Sequence, residues 1–208
     1  QDLSRQRLAA ALAAHGLSEV QHFSLASSAE NKDFHLGQPY PLLANPLNPG
    51  TEALRSGLLS GLLRCLHWHR GQQLWDIAIF ETGKVFADQN ERLVAAGLCC
   101  GLREQANWRQ PGRWDLPSLK GLLEAALRQT LGVAIDIRTP IQDARFHGGQ
   151  SFQLLCRDRL LGTAGLLHPM LTQTHELPAE LFYFEIELAM LPEPSAARFN
   201  AFSRQPAI

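Results

Sequence analysis

The chain has 208 residues, 45% hydrophobic and 19% charged, which is typical of a globular protein with one large domain or two small ones. Its 16 glycines and 12 prolines are close to average usage, which excludes collagen-like and linker-like sequences. The net charge of −1 excludes a global field that would attract nucleic acid or anionic lipid. No apolar run is long enough to span a membrane and no signal peptide is visible, so we expect a cytoplasmic protein.

The first predicted element is a helix over residues 3–15. Leu8 and Leu12 lie four residues apart in it, Asp2 or Ser4 can cap its start, and Gly16 follows its end. No Met precedes this helix, and we expect the chain to be a piece of a longer protein. A short strand is predicted over residues 20–25, and the polar residues 27–38 predict a loop.

A second helix is predicted over residues 51–68, with Thr51 as its cap and Gly71 as its stop. The prediction depends on six leucines that recur at helical period: Leu54, Leu58, Leu59, Leu62, Leu63 and Leu66. Two β-rich segments follow, over residues 74–86 and 92–102. A third helix is predicted over residues 116–131, ended by Gly132.

The rest of the chain reads as strands separated by turns. They are predicted over residues 134–138, 151–156, 160–167 and 181–188, with a further candidate at 199–203. Strands that follow one another through short turns usually pair antiparallel. We therefore predict an α+β fold in which one antiparallel sheet carries three main helices.

Cys65, His67 and His69 come nearest to a metal-binding pattern in this sequence. Residues two apart on a helix point to different sides, and no second ligand pair stands elsewhere at zinc spacing, so we predict no metal site. The four cysteines lie in apolar segments without CxxC spacing: Cys65, Cys99, Cys100 and Cys156. We predict that they are reduced core residues rather than a disulfide framework.

Motif searches find no nucleophile elbow, P-loop or dinucleotide-binding glycine pattern. Residues 103–114 (REQANWRQPGRW) carry three arginines and two tryptophans, which could stack on and neutralise nucleic acid. The balanced net charge favours a solvated insertion instead. Residues 162–169 contain Gly162 and Gly165 in a strand pattern, which predicts close backbone approach or a bulge, and Pro169 then begins a turn or helix.

Three groups of residues occur in the order and spacing of one known family. The first group is Asn45-Pro46-Leu47, then residues 54–63 (LRSGLLSGLL) and 80–86 (FETGKVF). The second is Trp114-Asp115 leading into Leu119-Lys120-Gly121, and the third is residues 146–151 (FHGGQS), 162–169 and 183–188 (YFEIEL). Over nearly its whole length, the sequence therefore resembles the core of the bacterial phenylalanyl-tRNA synthetase β subunit.

This resemblance implies a class II synthetase-like fold, with an antiparallel sheet flanked by helices. It implies a core domain over residues 1–195, with residues 196–208 as the start of a truncated ferredoxin-like anticodon-binding domain. It also implies membership of an (αβ)₂ enzyme that charges tRNA(Phe), in which the α subunit performs the chemistry. ATP and magnesium would be used by the whole enzyme and bound by no residue of this piece.

The three class II motifs are altered at their functional positions. Phe23 stands where the first motif, used for dimerisation, has a proline. In the second motif Ala87 replaces the arginine that grips the ATP α-phosphate, and Gln89 replaces an acid. In the third, Phe182 and Phe184 align with glycines and Glu187 aligns with an arginine. We expect the two rings to fill the nucleotide space and Glu187 to repel triphosphate.

The resemblance therefore implies a noncatalytic structural core that supports the α subunit's active site and the heterotetramer, and we assign no catalytic, cofactor-binding or metal residue. We expect the helix over residues 3–15 to pack against the α subunit and the isolated piece to self-associate. Two alternatives stay open: a divergent but active adenylating domain, and a nucleic-acid-binding module that uses residues 103–114.

Overall fold

The computed structural model describes residues 2–34, 39–87, 90–103, 112–139 and 141–192. The helices in these ranges are α1 (Asp2–Ala14), α2 (Ser28–Phe34), α3 (Leu59–Gly71), α4 (Leu116–Leu131) and α5 (Pro169–Thr174). The strands are β1 (Ser18–Glu19), β2 (Leu25–Ala26), β3 (Ala53–Leu54), β4 (Ile77–Ala87), β5 (Asn90–Cys100), β6 (Asp136–Arg138), β7 (Phe146–Cys156), β8 (Arg159–Leu167) and β9 (Phe182–Glu187). A single 3₁₀ turn, Leu188–Met190, follows β9.

Seven strands form one sheet in the order β1-β4-β5-β9-β8-β7-β6. The pairing of β1 with β4 is parallel, and the pairings among the other six strands are antiparallel. Strands β2 and β3 pair separately as a two-stranded sheet. The predicted α+β fold, with an antiparallel sheet flanked by helices, is confirmed.

The sheet separates two hydrophobic cores. Helices α1 and α4 cover one face, which we call the α1/α4 face, and α3 covers part of the other, the α3 face. Strand β9 shows the alternation: Phe182, Phe184 and Ile186 lie in the α1/α4 core, whereas Tyr183 lies in the core beneath α3. Glu185 and Glu187 follow Tyr183 at steps of two and therefore share the α3 face.

Helix α4 occupies the predicted residues 116–131. The Asp115 carboxylate accepts a hydrogen bond from the Ser118 amide at 2.8 Å, and Gly132 ends the helix with φ of 70°. Helix α1 also forms close to its predicted bounds. Gly16 follows the end of α1 with φ of 95°, as its predicted role at a helix end requires.

The predicted helix over residues 51–68 is wrong in its first two turns, because α3 begins only at Leu59. Residues 53–54 pair with β2 instead, and the backbone of Arg55 bonds to Ser24 on one side and to Phe86 on the other. These tertiary hydrogen bonds satisfy the backbone in an extended conformation. The helical period of the leucines therefore begins earlier in the sequence than the helix itself does.

The predicted loop over residues 27–38 is also wrong where it is described, since Ser28–Phe34 forms α2; residues 35–38 lie outside the described ranges. Its start is a capping box: the Glu30 amide donates to Ser27 Oγ, and the Ser27 amide donates to the Glu30 carboxylate. The Ser-x-x-Glu spacing was visible in the sequence and would have identified the helix.

Gly162 and Gly165 make the close backbone approach that the sequence predicted. A Cβ at Gly162 would collide with the Glu185 carbonyl oxygen on β9, and one at Gly165 would collide with the backbone of Gln150 and Ser151 on β7. Pro169 begins α5, as predicted. Among the described residues, no helix is both long and apolar enough to cross a bilayer.

Candidate functional site: the cleft on the α3 face

A cleft of about 660 Å³ opens on the α3 face of the sheet, where α3 does not cover β8 and β9. Its floor is formed by residues of β5, β8 and β9, and its wall by the segment that precedes β7. The cleft is lined by three arginines and three acids: Arg92, Arg145, Arg159, Asp143, Glu185 and Glu187. The lining charges therefore balance, which suits neither a polyanion nor a polycation.

Arg145 is the centre of the wall. Its guanidinium donates to both carboxylate oxygens of Asp143 and, at 3.3 Å, to Glu185. It also lies over the rings of Phe146 and Tyr183, at 5.6 and 5.8 Å from their centroids. Burial alone would lower the pKa of Arg145, but the charges of Glu185 and Asp143 outweigh it and raise the pKa. Arg145 is therefore always charged and already engaged.

The two carboxylates beside Arg145 are engaged as well. Burial alone would raise the pKa of Asp143, but the hydrogen bonds and charge of Arg145 hold it below its usual value. Glu185 accepts a hydrogen bond of 2.6 Å from the Tyr183 hydroxyl. Burial raises the pKa of that hydroxyl, as does the Glu185 charge, so it stays a donor at neutral pH.

Glu187, an altered position of the third class II motif, lines the floor of the cleft, and Ala87, from the second motif, lies on the same face of the sheet. Glu187 forms an ion pair of 3.1 Å with Arg92. Ala87 ends β4 on the same face as the buried Val85, two residues earlier, so its methyl group lies on the cleft side of the sheet. Gln89 lies outside the described residues. The structure thus brings Ala87 and Glu187 to one face of the sheet.

Phe182 and Phe184 do not fill the cleft, and that expectation is wrong. Both rings lie in the core beneath α1 and α4, on the opposite face of the sheet from Glu187. Phe184 packs over Gly97 of β5, where a Cβ would collide with its ring. The alternation of side chains along β9 places residues 182 and 184 on one face and 187 on the other. The cleft differs from a nucleotide site by its charges, not by bulk from these rings.

A buried charged cluster, missed by the sequence reasoning, fixes the segment that precedes α3. Glu81, 1% exposed, accepts hydrogen bonds of 2.6 Å from Arg55 and from the His22 ring. Arg55 also donates to the Lys84 carbonyl. Burial alone would raise the pKa of Glu81, but His22 and Arg55 outweigh it and hold it below its ordinary value. The available signal was two charges, Arg55 and Glu81, inside otherwise apolar segments.

This cluster anchors a small lobe, formed by residues 22–34 and 39–56, to β4. In the lobe β3 lies between β2 and residues 41–43. The lobe exposes large apolar side chains: Phe23 is 87% exposed, Leu42 67% and Leu47 96%. Phe23, at the position of the first-motif proline, is thus on the surface. Exposed apolar groups gathered on one lobe are typical of an interaction surface.

Cys65, His67 and His69 do not converge on a metal position. Cys65 meets His69 at 3.5 Å, one helical turn away, while His67 points to another side of α3. Among the described residues, no group of three or more His, Cys, Asp or Glu could hold a metal ion. The His69 Nδ1 also lies 2.8 Å from the Cys65 carbonyl, and burial raises the pKa of the Cys65 thiol. The pair is therefore not an activated nucleophile.

The vicinal cysteines of β5 are buried, as predicted. Burial raises the pKa of both thiols, that of Cys100 to about 11. Cys156 is buried as well. These thiols are part of the packing between the sheet and its helices.

The arginine- and tryptophan-rich segment is only partly described, since residues 104–111 lie outside the described ranges. Trp114 is 4% exposed and packs in the α1/α4 core, so it cannot stack on a base. Arg113 forms an exposed ion pair of 3.6 Å with Glu180. The described ends of this segment hold two arginines, Arg103 and Arg113, and neither is without a partner.

Solved structures confirm the fold. The chain superposes on a pyrrolysyl tRNA synthetase from Desulfitobacterium hafniense with a TM-score of 0.67, over 90% of this chain and 66% of that one. A second structure of the pyrrolysyl-tRNA synthetase from the same organism gives 0.66 over the same shares. At 17% and 19% identity, these likenesses show the class II synthetase fold alone.

Curated relatives match nearly the whole chain. It is 32% identical to the phenylalanine–tRNA ligase beta subunit of Synechococcus elongatus over 98% of its length, and 31% identical to that of Gloeobacter violaceus over 99%. The chain spans about a quarter of the length of these relatives, 26% in both cases. The family described as the phenylalanyl tRNA synthetase beta chain CLM domain matches residues 1–188. The chain therefore belongs to the phenylalanyl-tRNA synthetase beta chain family, in its CLM domain.

Proposed function

We propose that this chain is the noncatalytic structural core of a phenylalanine–tRNA ligase β subunit. In this role it supports the active site of the α subunit and the (αβ)₂ assembly that charges tRNA(Phe) in the cytoplasm. ATP and magnesium act in the whole enzyme and are not bound by this chain. The observation that carries the proposal is the charge arrangement of the cleft.

In that cleft two of the three arginines are already paired with internal acids. Arg92 is paired with Glu187 and Arg145 with Asp143 and Glu185, while a methyl group stands at position 87. A nucleotide would have to break these pairs and approach two glutamates without the arginine of the second motif. Losing one transition-state contact of this kind typically lowers the rate on the order of a hundredfold or more.

Titration calorimetry with ATP and magnesium tests this directly. We expect no saturable heat with this chain, and the co-expressed α subunit serves as the positive control. Saturable, competitive binding of ATP to this chain would instead establish the divergent adenylating domain.

The partner surface is assigned to the small lobe. Phe23, Leu42 and Leu47 expose apolar area that the described part of the chain leaves uncovered, and α1, which covers the α1/α4 face, contacts the edge strand β1. We propose that the α subunit covers this region, and that the isolated chain self-associates through it. Interface hot spots are typically large apolar and aromatic side chains of this kind.

Co-purification with the α subunit tests the surface. Phe23→Asp and Leu47→Asp should weaken capture of the α subunit about tenfold or more. Leu74→Asp is the matched control, because Leu74 is 50% exposed on the turn between α3 and β4. Equal capture of the α subunit by all three variants would show that the small lobe is not part of the interface.

The nucleic-acid alternative has its own test. Charge reversal at Arg113, with Arg128→Glu as an exposed control on α4, should leave tRNA binding by the assembled enzyme unchanged. Weaker tRNA binding by the Arg113 variant alone would show that residues 103–114 take part in binding RNA.

A further inference from the structure

The cleft on the α3 face has the size of a ligand site, although its charges do not suit a nucleotide. Its volume of about 660 Å³ lies within the range of about 300–1,000 Å³ that is usual for small-molecule sites. The Arg145 cluster and the Arg92–Glu187 pair hold its floor and wall in place. A site with a rigid, pre-ordered lining loses little entropy when a ligand binds.

One cation of the cleft, Arg159, forms no ion pair within the part of the chain that the structure describes. Among the described residues, no carboxylate lies within ion-pairing distance of Arg159, and its guanidinium contacts only the Met190 sulfur, at 3.2 Å. A thioether is a weak acceptor and leaves the charge uncompensated. Two other exposed arginines, Arg138 and Arg113, pair with Asp158 and Glu180, whereas Arg128 and Arg157 resemble Arg159 in having no ion pair within the described ranges but do not line the cleft.

Uncharged hydrogen-bonding groups line the cleft as well. Thr163 lies on β8 directly opposite Glu185, and the exposed Gln142 precedes the Arg145 wall. Gly162, beside Thr163, lets β8 pack against the β9 backbone. Leu160, 45% exposed, and Met190 supply apolar surface on the side of Arg159.

We propose that the cleft binds a small polar ligand through one carboxylate group, with Arg159 as its cation and Thr163 and Gln142 as hydrogen-bonding partners. A single negative charge matches Arg159, whose guanidinium is the one in the cleft lining without an ion pair to a described residue. A planar carboxylate suits the two parallel donors of that group. A dianion or triphosphate would add negative charge beside Glu185 and Glu187, and the described lining of the cleft supplies no second unpaired cation to offset it.

Amide NMR of the 208-residue chain tests the proposal with acetate, its neutral analogue acetamide, and inorganic phosphate as probes. We expect acetate to shift the amides of Gly162 and Thr163 saturably, acetamide to leave them unchanged, and phosphate to bind more weakly than acetate. Arg159→Gln should weaken acetate binding about tenfold or more, because a charge-assisted contact is lost. Arg159→Lys should give an intermediate affinity, and Arg128→Gln, on the opposite side of the sheet, should have no effect.

Two further probes identify the source of the carboxylate. Tighter binding of glycolate than of a blocked Ala-Glu-Ala peptide would assign the site to a free metabolite, and the reverse order would assign it to a side chain of a partner. Equal shifts with acetate and acetamide, tighter phosphate binding, or unchanged affinity in Arg159→Gln would overturn the proposal. The noncatalytic role is tested separately by ATP and the α subunit, so failure here leaves it standing.

Discussion

Replacing Glu81 by glutamine probes the buried cluster that fixes the small lobe. The change keeps the size of the side chain and removes its charge, so that Arg55, with a side chain 7% exposed, loses its counter-ion. The amide oxygen can accept only as a neutral group in place of the two charge-assisted hydrogen bonds, from Arg55 and His22. Arg55 keeps the Lys84 carbonyl as an acceptor.

The expected cost follows from these contacts. A hydrogen bond to a charged group contributes about 1.5–3 kcal/mol, and breaking a buried pair costs about 3–5 kcal/mol. Because the amide retains part of the bonding, we expect Glu81→Gln to lower the free energy of unfolding by about 3 kcal/mol. In a domain of this size that corresponds to a melting temperature lower by roughly 6–12 °C.

Urea unfolding at pH 7, followed by circular dichroism, measures the effect. The matched control is Glu91→Gln, which removes an ion pair with Lys84 whose side chains are 56% and 57% exposed. That exposed pair should contribute less than about 1 kcal/mol. If both variants lower the free energy of unfolding by the same small amount, the buried cluster does not anchor the small lobe.

The pH dependence gives a second readout. The pKa of Glu81 is lower in the folded chain than its ordinary value of about 4.3 in the unfolded one. Its contribution is therefore complete above that ordinary value and is lost as the pH falls through the folded value. The difference in stability between the native chain and Glu81→Gln should shrink in acid. A stability difference that stays constant as the pH falls through the folded pKa of Glu81 would contradict the role of its carboxylate as a charged partner.

Two other predictions concern the core. Gly97→Ala should destabilise the chain by about 1–3 kcal/mol, because its Cβ would meet the Phe184 ring and the Ile79 carbonyl. Gly121→Ala, with open space around it on α4, should be neutral or stabilising by up to about 1 kcal/mol in the same melting assay. In native labelling with a thiol reagent, the buried Cys99-Cys100 pair should react only after unfolding and the partly exposed Cys65 slowly, as counted by mass spectrometry. Rapid native labelling of the pair would show that β5 is open.

Local sequence was sufficient wherever the relevant forces are local. Asp115 and Gly132 bound α4 at residues 116–131, as their capping chemistry predicts. The same reasoning would have found α2 from Ser27 and Glu30, whose reciprocal hydrogen bonds span only three residues. It failed at the start of α3, where Arg55 exchanges backbone bonds with Ser24 and Phe86, 31 residues away in each direction.

The candidate site shows the same difference between local features, which the sequence reveals, and long-range contacts, which it does not. The sequence showed that an alanine stands at position 87 and a glutamate at 187, and the resemblance gave those substitutions a meaning. It could not show that Glu187 would find Arg92 as its partner, 95 residues away. It also placed Phe182 and Phe184 in the nucleotide space, because a motif alignment does not say which face of β9 each residue occupies.

By itself, then, the sequence determined the class of fold, the family, most of the strands, and the missing motif arginines. Periodicity, capping and composition act over one or two turns, so they can be read along the chain. Only the tertiary structure decided which charges of the cleft are neutralised, and that Arg159 has no carboxylate within ion-pairing distance in the described part of the chain. The state of a charge depends on groups brought near it by strand pairing over many tens of residues, and no local pattern carries that information.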